Sequence, residues 1–483
     1  MYFIGLDMGT QGVRGIITNY KGELICSSNI KFNVINCSNI EGFIEQDPSM
    51  WLNSAIDVLK DLVYKFKNTG KKVEDIKALS LDGTSGTIIF LDGNNKPLTN
   101  GIMYNDRRAY EESHIVQSYG KELSESLGYK FNFSYALPKI LWVKNHRSNI
   151  YEKTKKILHQ GDYILGNLIG IFCTSDYSNG LKTGYDLINK KWPDFIEKLG
   201  ISKRILPKVV APGEVIGNIS GEISNITGLK TSTLVVGGCT DGYASSIASG
   251  MSKEGEFNTS LGTTITIKGI WNNIIKDKHG RIYSHLHPEG YWIVGGASNI
   301  GGKSLDSRFK KEEFDILNKE LDKYAPTNIV MYPLIGKGER FPFVKEEAEG
   351  FIIGEPKDKA ELYIAVLEGV GYIERLCYET IEDLGCKVKD YIFITGGGVK
   401  SKEWCQIRAN ILNKTLLIPE IWEAAMGAAI LATSKTFYSS LTEGVENMVK
   451  IKEKIEPKYG QEKTYEERYE MFKDKCREKS YLI

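Results

Sequence analysis

The sequence predicts an α/β protein built from two related halves, and three observations carry that expectation. At 483 residues the chain exceeds what one ordinary core organises, so two large domains are expected. Strands ending in glycine-rich turns alternate with amphipathic helices. Each half also carries a β-hairpin with a Gly-Thr tip, "DMGT" at 7–10 and "SLGTT" at 260–264. This is a duplication of pattern rather than of residue identity, and it sets the division at 1–249 and 250–483.

The elements follow in order. Phe3–Leu6 is a short apolar run ending at Asp7, and "MGTQG" turns the chain before Val13–Ile17 resumes as a strand. "NYKGE" gives a second turn before Leu24 and Ile25. Asp47 and Pro48 stand at the N-cap and first helical positions of a helix whose Trp51, Ala55, Val58, Leu59 and Leu62 recur at helical spacing. The strand "IKALSL" runs into "DGTSGT" at 82–87, and "TIIFLD" turns back through "GNN". Residues 110–235 read mostly as helices and loops, with "YALPKILWVKNH" an amphipathic helix opened by a proline. In the second half "EFNTSLGTTITIKGI" repeats strand, turn and strand. A long helix over 361–385 follows, then the strand "YIFIT", the turn "GGG" and another helix. The tail from about 452, rich in Lys, Glu and Tyr, reads as a solvated terminal helix.

Composition narrows the function classes. With 62 basic against 61 acidic residues, a net charge of +1 gives no electrostatic case for nucleic acid or an anionic membrane. No apolar run reaches the ~18 residues of a membrane span, and no basic-then-apolar leader opens the chain. The eight cysteines are scattered without a C-x-x-C pair, so reduced thiols and a cytoplasmic location are expected. His279, His285 and His287 cluster, but no carboxylate or cysteine stands at ligand spacing. A polar strand face or loop accounts for them, and zinc is set aside.

Four stretches carry chemistry. In "GLDMGTQGVRG", a strand delivers Asp7 beside a turn whose N–H groups at Gly9, Thr10, Gln11 and Gly12 can cradle phosphate oxygens. A carboxylate there can hold Mg²⁺ where it meets β- and γ-phosphates. A plain hairpin turn is the structural alternative. "SLGTTITI" forms a second such tip. In "FITGGGVKSKEW" a strand ends in three glycines before a helix, so a flat ring or phosphate can lie on bare backbone near Trp404; a tight strand–helix turn reads the same. In "GGCTDGYASS", Asp241 is either a helix N-cap or a catalytic base with room cleared around it.

These segments, in this order and continuing through "IRANIL" to "EAAMGAAILA", resemble the FGGY carbohydrate kinases over nearly the whole chain. That family belongs with actin, hexokinase and the heat-shock chaperone ATPases. The resemblance implies two ribonuclease H-like domains with a cleft between them, ATP mainly on the second and sugar mainly on the first. It implies that Asp7 is the metal- and substrate-side aspartate, that Thr10 and Gln11 form the first phosphate loop, and that Gly262 and Thr263 form the second. Gly397 and Gly398 would be the adenine-side glycines, with Ser401 and Trp404 lining the nucleotide pocket. Asp241 would be the base. Phosphoryl transfer to an alcohol passes through a loose transition state, so a carboxylate that accepts the proton late suffices. Small neighbours such as Gly238 and Gly242 would leave room for a sugar.

The sugar is narrowed by a departure. Typical bacterial xylulokinases carry Gln-Met-His-Gly where this chain has "DGTSGT", and the glycerol kinase pattern is absent there too. "DGTSGT", "YNDRRA", "YWIVGGASNIGG" and "YPLIGKGERFPF" resemble a smaller branch acting on D-ribulose. By that resemblance Ser85 and Asp7 bond sugar hydroxyls, and Asp82 and Asp106 are further contacts or else turn caps. Arg340 faces a phosphate or forms a surface or inter-domain salt bridge. The expectation is therefore an ATP- and Mg²⁺-dependent kinase acting on the terminal hydroxyl of a ketopentose, D-ribulose before D-xylulose. Its partner is a small-molecule sugar, with no nucleic acid or membrane, and a homodimer is the candidate assembly. Rival expectations are a catalytically weak sugar- or nucleotide-sensing protein on the same fold and an actin-like ATPase.

Overall fold

The computed structural model describes residues 1–482. Packing divides the chain into two compact units. The first comprises 1–252, 285–291 and 421–450; the second comprises 253–284, 292–420 and the residues from 451. The division at 249/250 follows chain order, whereas packing gathers two later segments into the first unit.

In the first unit, Tyr2–Gly9 and Gly12–Asn19 form an antiparallel hairpin, and Leu24–Lys31 adds antiparallel on the outside. The other edge of Tyr2–Gly9 runs parallel to Ile76–Gly83, which runs parallel to Leu234–Val236; Val215–Asn218 closes this side antiparallel. Cys239–Thr240 pairs in parallel with the end of Ile76–Gly83. The two central strands read as apolar runs because both faces of the sheet are covered. Phe3, Ile4, Leu6, Leu79 and Leu81 are all buried.

On one face lies the helix Pro48–Asn68. Asp47 caps it, accepting the Ser49 N–H at 2.8 Å, and the five apolar residues of the predicted stripe are buried. The helix Ala424–Thr433 packs against Tyr2–Gly9 and is buried along its whole length. Two glycines permit its close approach. A Cβ on Gly5 would stand 1.9 Å from the Ala425 carbonyl oxygen, and one on Gly427 would stand 2.0 Å from that of Ala244. Residues 110–235 contain the expected helices and, beyond expectation, short strands such as Lys156–His159, Thr174–Asp176 and Lys208–Val210.

The second unit repeats the plan. Phe257–Leu261 pairs antiparallel with Ile265–Trp271, which pairs antiparallel with Trp292–Ala297. On its other side Phe257–Leu261 is parallel to Tyr391–Thr395, that strand is parallel to Thr415–Pro419, and Ile451–Ile455 closes antiparallel. Across six strands both sheets show the same series of pairings: two antiparallel, two parallel, one antiparallel. The duplication read from two hairpins is thus a duplication of topology.

The tail departs from expectation. Ile451–Ile455 is an edge strand, and the helix Glu462–Glu478 buries Tyr465, Tyr469, Phe472 and Cys476. Those four residues form one helical stripe that the surrounding charges mask in the sequence. Among the described residues no helix is long and apolar enough to cross a membrane.

The helix-to-backbone contact at Gly427 can be tested directly. Gly427→Ala is expected to lower unfolding free energy by about 3 kcal/mol, because neither backbone can yield cheaply. Gly221→Ala, whose Cβ would meet nothing within 4 Å, provides the comparison in denaturant titrations. Equal stabilities would remove the close-packing account.

Candidate functional site

Strand register gathers three carboxylates at one end of the first sheet. Asp7 lies opposite Asp82 across the parallel pair. Cys239 lies opposite Asp82 on its other side, and Thr240 opposite Gly83. Asp241 follows as the first residue of the helix Asp241–Ala248. This is the carboxyl end of the parallel strands, where open α/β sheets take their ligands.

The cluster is electrostatically loaded. Asp82 is fully buried, and neither carboxyl oxygen meets hydrogen-bond geometry with any group among the described residues. Burial raises its pKa well above the ordinary carboxylate range, and the charges of Asp7 and Asp241 push the same way. Burial also raises Asp7, while its interaction with the Asp82 carboxyl lowers it. Burial is the dominant cause at both carboxyls, and each is held above its ordinary value.

Asp241 Oδ1 accepts the Gly242 N–H at 2.7 Å, and Thr240 holds the N-cap position. Gly238 does not clear space for a ligand: a Cβ there would meet the Leu81 carbonyl oxygen at 2.0 Å, so its smallness serves strand packing. Two residues missed in the sequence hold the chain just before Asp241. The Thr240 N–H donates to Ser178 Oγ at 2.9 Å, and that hydroxyl donates to Asp176 at 2.5 Å. The "DYSN" N-cap pattern at 176–179 was the available signal.

Ser85 is half-buried in the turn after Ile76–Gly83. Gln160 braces that turn, its Oε1 accepting from the Thr84 N–H at 3.0 Å and from Thr84 Oγ1 at 2.8 Å. Lys139, fully buried, donates to the carbonyls of Gly86, Ser134 and Tyr104 at 3.0, 3.2 and 3.3 Å. Burial brings its pKa down to about 7. Asp106 has other partners: its carboxylate accepts from the Ile44 N–H at 2.6 Å, from the Arg108 backbone N–H at 2.9 Å, as a turn cap does, and twice from the Arg108 guanidinium, at 2.8 and 2.7 Å. Arg108 also pairs with Glu45 and lies 4.0 Å over the Phe43 ring. Thr10 and Gln11 form the two-residue turn of the first hairpin. Their carbonyls are tied back by Gln46 Nε2 at 2.8 Å and by the Phe32 N–H at 2.9 Å.

The second unit carries a cavity of about 890 Å³, of the size small molecules occupy. Gly262, Thr263, Gly397, Gly398, Ser401 and Trp404 all line it. The three glycines differ in role. Gly396 takes φ 86°, and Gly398 packs where a Cβ would meet the Leu261 side chain at 2.4 Å. A Cβ on Gly397 would meet nothing within 4 Å, so here bare backbone is open. Ser401 caps the helix Lys402–Leu412, accepting the Trp404 N–H at 3.1 Å. The Trp404 indole donates to the Leu367 carbonyl at 3.2 Å, which fixes the ring. The sequence did not flag Gly302, Lys311 or Tyr363, which reach the same cavity from separate segments. Among the described residues no three His, Cys, Asp or Glu side chains are arranged to hold a metal.

Comparison with known proteins gives a consistent result. The chain matches the N-terminal domain of the FGGY family of carbohydrate kinases over residues 2–248 and the C-terminal domain over residues 257–435. It is 27% identical to a xylulose kinase of Bacillus subtilis over 98% of this chain and 96% of that one. It is 26% identical to a gluconokinase of Bacillus subtilis over 93% and 90%. The crystal structure of a xyloylose kinase from Brucella ovis superposes with a TM-score of 0.89 at 23% identity, covering 100% of both chains. That likeness is one of fold.

The buried carboxyl pair has a pH signature. Both groups are raised in the fold, so the stability they contribute is present below the ordinary carboxylate pKa of about 4 and is lost as pH rises through their folded values. Asp82→Asn is expected to exceed the wild type in unfolding free energy near pH 7 by about 1 kcal/mol or more. The advantage should shrink towards pH 4 in urea titrations. A difference independent of pH would contradict the raised carboxyl pKa values.

Proposed function

We propose that this chain, which belongs to the FGGY family of carbohydrate kinases and is a phosphotransferase with an alcohol group as acceptor, moves the γ-phosphoryl group of ATP to the terminal hydroxyl of a ketopentose. Residues 1–249 take the acceptor in this reading, and 250–483 take the nucleotide. The observation that carries it is the register of Asp7, Asp82 and Asp241 at one sheet end. D-ribulose stands first and D-xylulose second. "DGTSGT" supports the first choice, and the xylulose kinases among the relatives support the second.

Asp241 accepts the hydroxyl proton as the bond from the terminal oxygen to the γ-phosphorus forms. The bond to the β–γ bridging oxygen breaks, and ADP leaves with that electron pair. Asp82, fully buried, acts through its neighbour Asp7 rather than by touching the sugar, while Asp7 and Ser85 orient the sugar hydroxyls. Asp106, already engaged by Arg108, is assigned to bracing the protein rather than to the sugar. The backbone N–H groups of Thr10, Gln11 and Thr263 cradle phosphates, while Gly262, whose own N–H donates to the Thr264 carbonyl at 3.1 Å, lets them approach its backbone. Gly397 and Gly398 offer backbone to the adenine, with Ser401 and Trp404 beside it. Asp7 would supply a carboxylate to a Mg²⁺ ion bound with the nucleotide, which would neutralise phosphate charge.

A coupled assay with Mg-ATP over D-ribulose, D-xylulose, their aldose and polyol relatives and gluconate tests the reading. D-ribulose is expected to show the highest kcat/KM. Turnover of none would end it, and preference for another acceptor would reassign the substrate. Asp241→Asn is expected to cut kcat by about 10²- to 10⁴-fold while ADP affinity measured by calorimetry stays within about twofold. Retained turnover would remove Asp241 from the base position.

A further inference from the structure

Of two motifs, "ASNIGG" at 297–302 and "GERFPF" at 338–343, only Gly302 has so far entered the site. Arg340 is exposed, and no carboxylate pairs with it among the described residues. Its neighbour is different. Glu339 is only 4% exposed, and its carboxylate accepts five hydrogen bonds. On Oε1 these come from the N–H groups of Asn299 at 2.7 Å, Arg340 at 2.9 Å and Phe341 at 3.5 Å. On Oε2 they come from the hydroxyls of Ser298 at 2.8 Å and Tyr332 at 3.0 Å. Burial pushes the Glu339 pKa up, and the donors act against it by favouring the charged form.

Beyond this anchor, the turn at 298–303 is bonded to the Gly-Thr hairpin. The Ser298 N–H donates to the Ile265 carbonyl at 3.0 Å, and the Ile265 N–H returns to Ile300 at 2.6 Å. The Gly302 N–H donates to Gly262 at 2.8 Å and the Lys303 N–H to Thr263 at 3.2 Å. Neither glycine of the turn has room for a side chain. A Cβ on Gly301 would stand 2.5 Å from Thr264 Cα, and one on Gly302 would stand 2.8 Å from the Gly262 oxygen. Turn and hairpin are therefore in backbone contact and share one position. Gly262, Thr263 and Gly302 line the cavity, whereas Glu339 does not.

We infer that Glu339 is a positioning residue for the phosphate end of the nucleotide site, fixing the 298–303 turn and through it the backbone at Gly262 and Thr263. The inference rests on reading this cavity as the nucleotide site. It assigns the "GER" motif to its glutamate rather than its arginine.

ADP titrated calorimetrically into the wild type, Glu339→Gln and Ser298→Ala tests it, with acceptor KM measured at saturating ATP. Glu339→Gln sets an N–H donor against donors and is expected to weaken ADP binding by about fivefold or more, the effect of roughly one lost hydrogen bond. Ser298→Ala is expected to weaken it by about twofold or more. Acceptor KM should stay within about twofold in both. Wild-type ADP affinity in the folded variants overturns the inference, and so does a parallel loss of ADP and acceptor binding, which marks general loosening. If Glu339→Gln does not fold, the milder Ser298→Ala decides alone. A wild type that binds no ADP defeats the nucleotide assignment itself, an outcome distinct from equal binding by all three proteins.

Discussion

The parallel pairing of Tyr2–Gly9 with Ile76–Gly83 is the constraint on which the first unit depends. Parallel neighbours must arrive from separate parts of the chain, so a long crossover has to leave one end of the sheet and return at the other. That requirement brings strand ends, and whatever follows them, to one edge. Asp7 and Asp82 become neighbours for this reason, and Cys239–Thr240 places Asp241 beside them. The second unit obeys the same constraint with different chemistry. There Phe257–Leu261 and Tyr391–Thr395 deliver a Gly-Thr tip and a glycine turn instead of carboxylates. One topology, used twice, supplies an acidic edge and a bare-backbone edge.

Local features of the fold were largely legible in the residues. The Asp47 cap, the stripe beneath it and both hairpins follow from spacing and turn chemistry. Long-range features were not. Ala424–Thr433 follows the last of the glycine turns in chain order, yet it packs with the first unit; nothing in an alanine-rich helix names the strand it will cover. The charged tail hid four apolar residues whose spacing shows only once a helix is assumed.

The site was legible as a set of residues and illegible as a set of roles. The family resemblance nominated Asp82 and Asp106 alike, as sugar contacts or else as turn caps. Only packing separates them. One is sealed against two other carboxyls, and the other is neutralised by an arginine two residues away. Gly238 shows the same limit, since a missing side chain looks identical whether the space belongs to a ligand or to a neighbouring strand. Bracing by Ser178, Gln160 and Lys139 comes from side chains whose partners are mostly backbone atoms, a kind of contact that leaves little trace in a single sequence.

The close seat of Ala424–Thr433 on Gly5 has a consequence for how the protein is made. A ribosome releases the first strands early and this helix near the end, at roughly 5–20 residues per second. For tens of seconds the nascent first unit therefore displays an uncovered apolar sheet face. That interval is set by the distance along the chain between Gly5 and Gly427, and closing it requires the latest of these elements to find the earliest.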